Sequence, residues 1–313
     1  MMAQANDGLK EGWFLDGEQP LKKKGVGQGI YQSDVICPTV GWIKKASETM
    51  EYGKNYEGYW NGEKFVKQLC EKIIPESEAS HGPGYQALIL VDNSQGHCAY
   101  AEDALIASRM NLKPSGKQAR LRNGWYFNEL GEKVIQSMIF LPDHQEFPNQ
   151  LKGMKQVLQE QKLWQNGLLM HCQQCPNGGT DCCAWKILQN QPDFISQKFL
   201  VQEVIEDAGH ICLILPKFHC ELNIIEYFWG SVKRWLCEHC DYTFSTLQKN
   251  MPTALKSVDV ILIRKWQNRM FRWLDAYRGG LSAHDAHFHV QAFSSRRYTL
   301  HRRIPDNVAG SLD

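Results

Sequence analysis

The sequence predicts an α/β fold, a sheet flanked by helices and interrupted by an inserted subdomain. Three observations carry that reading. QALILVDNS (86–94) and HICLILP (210–216) are short, nearly all-apolar runs closed by polar or turn residues. That is the pattern of strands buried on both faces of a parallel or mixed sheet. Helical stretches flank both runs, and strands alternating with helices imply layered α/β architecture. Between them, residues 111–198 lose periodicity and gather breakers: Pro114, Gly116, Pro142, Pro148, Gly178, Gly179 and Pro192.

Residues 1–28, rich in Gly and Lys (Lys22, Lys23, Lys24), read as an arm. GIYQSDVICPTVGWI (29–43) reads as strand, turn and strand, broken by Pro38 and Gly41. NGEKFVKQLCEKII (61–74) sets Phe65, Val66, Leu69 and Ile73 at helical spacing, with Asn61 as N-cap and Pro75 as the stop. AEDALIASRM (101–110) is expected to be a helix, as is FLVQEVIEDAG (199–209), ended by Gly209. NIIEYFWGSVKRWLCEHC (223–240) carries Ile225, Phe228, Trp229, Val232, Trp235 and Leu236 on one stripe. Helices follow at about 245–257 and 259–277, and the His- and Arg-rich tail 281–313 is expected to be weakly structured. The expected domains are 1–95 with 199–280, an inserted Cys-containing subdomain at 96–198, and the basic tail 281–313.

The net charge is +1, from 35 basic and 34 acidic side chains, so any nucleic-acid surface must come from local clustering. Eleven irregularly spaced cysteines do not read as a disulfide scaffold. The polar N-terminus shows no secretory signal, and no run of 18 apolar residues spans a membrane. A nuclear or cytoplasmic setting is the expectation.

Two carboxylates stand out. Asp92 closes the first buried run, where ligands gather in open α/β sheets. Glu226 opens the helix after the second. Hard oxygen ligands of this kind suit Mg²⁺ or Mn²⁺, and a pair of such ions can activate water against a phosphodiester. The same residues also read structurally, Asp92 as a turn former in DNSQG and Glu226 as the far end of a capping box begun by Asn223.

LILVDNSQGHCAYAEDAL and LILPKFHCELNIIEYFWGSVKRWL together resemble the second and third catalytic blocks of mariner-type DDE transposases. The matching residues are Asp92, Asn93 and His97, then Leu222, Asn223, Ile225, Glu226 and Trp229. The resemblance implies an RNase H-like mixed sheet, with Asp92 and Glu226 as catalytic, Mg²⁺- or Mn²⁺-binding carboxylates. It also implies DNA as partner, with a homodimer as an allowed assembly. It extends to a subgroup with a long Cys-containing insertion. Ile224 stands where the family usually has Pro, a small cost at the first helical position. The family's first aspartate lies in a stretch like Asp-Glu-Ser-Thr-Phe, some eight residues before a segment like Ala5-Asn6-Asp7-Gly8. That position falls upstream of Met1, and no Asp-Glu-Ser occurs in the chain. Asp34, in YQSDVI, takes no catalytic role. The chain as given is thus expected to be impaired in catalysis, and to lack the family's helix-turn-helix region.

His171, Cys172, Cys175, Cys182 and Cys183 form a second constellation. A CxxC knuckle plus another thiolate pair can hold tetrahedral zinc, although consecutive side chains normally diverge, and free, partly buried thiols are the plain alternative. Cys237 and Cys240 form another CxxC that reads as core. Lys233, Arg234, Arg264, Lys265, Arg269 and Arg272 are the candidate DNA contacts, set against an ordinary solvated helix face. Tail residues Arg296, Arg297, His301, Arg302 and Arg303 invite the same reading. Three functions follow: a metal-dependent endonuclease and strand-transfer domain, an inactive transposase remnant that binds nucleic acid, and a zinc-stabilised interaction module.

Overall fold

The computed structural model describes residues 1–7, 27–53, 59–114, 116–175 and 179–292. The strands are β1 (Met2–Gln4), β2 (Gly29–Ser33), β3 (Ile36–Cys37), β4 (Gly41–Trp42), β5 (Glu48–Tyr52), β6 (Leu88–Val91), β7 (Gly124–Phe127), β8 (Lys133–Gln136) and β9 (Ile211–Ile214). The helices are α1 (Gly62–Gln68), α2 (Ile74–His81), α3 (Met154–Glu160), α4 (Ala184–Gln189), α5 (Pro192–Ile195), α6 (Leu200–Asp207), α7 (Ile224–Glu238), α8 (Phe244–Lys256), α9 (Val260–Arg278) and α10 (Ala283–Ala292). The protein is mixed α/β and divides into two compact units. One comprises residues 1–98 and resumes at 201; the other is 99–200.

In the first unit β1, β2 and β5 form an antiparallel sheet, in which Ala3 faces Ile30 and Tyr31 faces Met50. Gly29 is required there, because a Cβ would meet the Tyr52 hydroxyl at 2.4 Å and the Ala3 carbonyl at 2.6 Å. Ala3, Ala5 and Ile30 pack on Phe228, Val232 and Leu236 of α7, whose four-residue spacing keeps them on one face. Leu247, Met251 and Ile263 complete this core. Phe228 is fully buried, so truncating it to Ala costs about 3–5 kcal/mol.

Strands β6 and β9 pair in parallel, Leu88 with Ile211 through Val91 with Ile214. Val91 and Cys212 are buried in one cluster with Phe65, Leu69 and Ile73 and with Val201 and Ile205 of α6. The expected burial on both faces is not met: Leu88, Ile211 and Leu213 are 59%, 48% and 50% exposed. The strands of the described residues form four small sheets, with no continuous mixed sheet among them.

Asn61 caps α1 by accepting from the Lys64 amide at 3.0 Å. Pro75 does not stop this helix. The chain passes through a π turn at Leu69–Ile73 and continues as α2, with Pro75 in its first turn. A widened turn gives the proline ring room and removes the need for the missing N–H. Gly209 ends α6 with φ +84°.

The second unit holds the β7–β8 hairpin and α3, α4 and α5 around Met138, Met154, Leu158, Leu188 and Phe194. The helix expected over 101–110 is absent, apart from one 3-10 turn at Ala107–Arg109. Leu105, Ala107 and Met110 reach the core from irregular chain, and the Leu105 amide donates to the Gln197 side chain. Residues 283–292, expected to be weakly structured, are α10, with Ala286 and Val290 buried beside Trp273. Lys22–Lys24 and the arginines at 296–303 lie outside the described residues.

Candidate functional site

Asp92 follows β6 by one residue, and the backbone bond from Leu215 N to Val91 O (2.8 Å) carries the parallel pairing to that point. Its Oδ1 accepts from Ser94 N at 3.2 Å and from His97 Nδ1 at 2.5 Å. Both bonds use one oxygen, and the Ser94 side chain adds a further bond to the carboxylate. Burial pushes the Asp92 carboxyl up, but the bonds from His97 and Ser94 outweigh it and hold it below the usual carboxylate value. The His97 ring is itself held on Phe65 of α1, centroids 4.1 Å apart.

After β9 the chain crosses a turn and a 3-10 segment, Cys220–Leu222, before α7 begins. Asn223 occupies the N-cap, yet its side chain makes no cap bond, so the alternative capping box is not formed. Glu226 is exposed, and its carboxylate has no hydrogen-bond partner among the described residues, while its amide donates to the Asn223 carbonyl at 3.0 Å. The Met1 amino group donates to the Gln32 carbonyl at 2.7 Å, and burial lowers its pKa to about 6 against the charges of Asp34, Glu226 and Asp92.

Asp34 was not legible as part of this neighbourhood. It is 7% exposed and accepts four hydrogen bonds. Gln32 Nε2 (2.9 Å), Trp42 Nε1 (3.0 Å) and Ser47 Oγ (2.8 Å) donate to Oδ1, and Trp229 Nε1 (3.0 Å) donates to Oδ2. Trp229 lies one turn beyond Glu226, so Asp34 ties the start of α7 to the strands. A carboxylate this saturated is an anchor, not an open ligand. Glu221 is engaged as well, by the Tyr277 hydroxyl at 2.6 Å and His219 Nδ1 at 2.7 Å. A cavity of about 720 Å³ is lined by Ile43, Phe65 and Val91 among others, together with Asp34, Asp92 and His97.

The second unit contains a different constellation. The sulfurs of Cys172, Cys175, Cys182 and Cys183 all lie within 4.8 Å of one another, with Cys172 3.1 Å from Cys175 and 3.4 Å from Cys182. The neighbours Cys182 and Cys183 both point inward because the chain bends at 181–183, just before α4. The Cys172 thiol, with burial, pushes Cys175 up to about 12. Burial opposes the thiolate of Cys183 too, but bonds from the Lys186 and Cys172 amides bring its pKa below the usual thiol value. Four sulfurs at these separations can hold a metal ion. His171 stands apart, its ring against Trp185 at 5.0 Å.

The candidate basic contacts divide. Lys233, Arg234 and Lys265 are exposed. Arg264 donates to the carbonyls of Pro38 (2.7 Å) and Thr39 (3.3 Å), and Arg269 lies 5.6 Å over the Tyr227 ring. Arg272 is 7% exposed, on the inner face of α9 beside Trp273, and so is not offered to a phosphate. Cys237 and Cys240 are partly buried, and Cys240 donates to the Ala5 carbonyl at 3.5 Å.

No family model matches this chain, and no curated protein or solved structure shows significant similarity to it. No helix of the described residues is long and apolar enough to cross a membrane.

Proposed function

We propose that the Asp92 end of the parallel strand pair is a metal-dependent phosphodiester site of the DDE transposase type, on an RNase H-like fold, with DNA as its substrate. The observation that carries this is the parallel pairing of Leu88–Val91 with Ile211–Ile214. It puts Asp92 and the segment leading to Glu226 at the same, carboxyl end of two neighbouring strands, where such sites form. The Asp92 and Glu226 carboxylates are suited to Mg²⁺ or Mn²⁺, ions that stabilise charge on an attacked phosphate when bound. His97 orients Asp92, and Asp34 holds α7 through Trp229. The two carboxylates hold one ion weakly and a second poorly. The test is Mn²⁺ titration together with nicking of supercoiled plasmid. A weak Mn²⁺ signal lost in Asp92→Ala and Glu226→Ala is expected. Nicking indifferent to both residues would overturn the assignment.

We infer a second, independent role for the inserted unit, a structural zinc centre on Cys172, Cys175, Cys182 and Cys183. The convergence of four thiols favours it. Tetrahedral zinc with bonds of about 2.3 Å requires four sulfurs roughly 3.8 Å apart, close to the separations here.

A further inference from the structure

We propose that the turn between β9 and α7 presents Phe218 as a stacking face for an unpaired nucleobase, with Lys217 beside it for the backbone phosphate. The proposal rests on the nucleic-acid reading above and names the form of substrate, a DNA end or junction with at least one unstacked base.

Phe218 is 99% exposed and its φ is +66°, the left-handed region that favours glycine or asparagine. A bulky aromatic residue seldom adopts that conformation unless its surroundings impose it. They do so here on both sides. Leu215 and Leu222 are buried with Met270 and Trp273, and the Leu215 amide is bonded to Val91. Next to the tip, His219 and Tyr277 both bond the Glu221 carboxylate, and the Leu222 amide donates to the His219 carbonyl. The tip is therefore a strained turn on a fixed base, and the strain yields no packing for the ring. A single exposed apolar side chain needs no explanation, but one held out at a conformational cost does. The position fits the chemistry. The turn leaves β9 where Ile214 pairs in parallel with Val91 and the Leu215 amide bonds the Val91 carbonyl, so it stands at the same end of the strands as Asp92. An aromatic face flanked by a cation is the pairing that binds single-stranded segments, with stacking for the base and charge for the phosphate.

The experiment uses the full chain without added Mg²⁺ or Mn²⁺. The probes are a blunt duplex and the same duplex with a three-nucleotide overhang carrying 2-aminopurine, read by anisotropy and by 2-aminopurine quenching. The unmodified chain should prefer the overhang by at least about fivefold and quench the probe. Phe218→Gly relieves the backbone strain, so its unfolding midpoint should equal or exceed that of the unmodified chain while the preference and quenching disappear. Phe218→Trp should retain both. Lys217→Ala should weaken both duplexes alike and reduce the salt slope by a little under one. If Phe218→Gly keeps the preference, the proposal is overturned. If the unmodified chain binds both duplexes equally, the proposal falls while the nucleic-acid reading stands; if it binds neither, both fall.

Discussion

The cysteine cluster and the acidic end differ in how their ligands are spent. Cys172, Cys175, Cys182 and Cys183 are local in sequence, and their sulfurs make contacts chiefly with one another. At the acidic end the carboxylates come from distant segments and are mostly engaged. Asp92 shares one oxygen with His97, Asp34 serves four donors, and Glu221 serves Tyr277 and His219. Only Glu226 has no such partner among the described residues. A soft-ligand set complete in itself contrasts with a hard-ligand set whose members largely hold the fold together. Ligand type alone therefore does not decide which cluster takes a metal; the occupation of each lone pair does.

The sharpest way to break this contrast is metal analysis. Protein purified under reducing conditions should carry about one zinc per chain, and the Cys172→Ser, Cys175→Ser double variant should carry none. Structural zinc contributes apparent binding free energies of about 10 kcal/mol or more, so chelation should open residues 169–183 to proteolysis. Chains with full thiol titre and no zinc would reverse the comparison.

Asp34 gives the next largest effect. Asp34→Ala strands the donors of Gln32, Ser47 and Trp229 and leaves Trp42 only its bond to the Ser47 hydroxyl, at a cost of about 3–5 kcal/mol in chemical denaturation. Asp34→Asn keeps an acceptor for three of them and should lose about half as much. An unchanged midpoint in Asp34→Ala would remove the anchor role.

Acid should act on Glu221 more gently. Burial raises its pKa, but the Tyr277 and His219 bonds more than offset this and leave it below the ordinary 4.5. A depressed carboxyl pKa contributes stability that is complete above 4.5 and is lost as pH falls through the folded value. Thermal melts between pH 6 and pH 3 should drop below pH 4.5, and Glu221→Gln should flatten that drop. The smallest expected change is in Lys265→Ala, which should leave the melting temperature unchanged and lower the salt slope of DNA binding by about 0.9. No change in slope would show that α9 faces something other than DNA.

How much of this was legible depended on how local each cause was. The paired strands were readable because continuous apolar runs have few other uses, and Asn61 and Gly209 mark helix ends through their own backbone chemistry. The 101–110 segment misled because its alanines, Leu105 and Met110 are strong helix formers, yet Leu105, Ala107 and Met110 pack into the core from irregular chain. Pro75 misled because the π turn that accommodates it has no signal of its own in sequence. Asp34 was opaque because its partners stand at 32, 42, 47 and 229. The convergence of Cys182 and Cys183 depends on a bend that their spacing alone argues against.

The parallel pairing of β6 and β9 also sets an order of events in time. Gln86 bonds the Gly209 carbonyl across 123 residues, and Leu88 meets Ile211 at the same separation. On the ribosome, the edge of β6 has no partner until more than a hundred further residues have been added. Closing so long a loop is slow compared with forming helices or hairpins. The acidic end therefore assembles late, after the intervening residues have had time to fold, and the apolar β6 edge is open to misassociation until then.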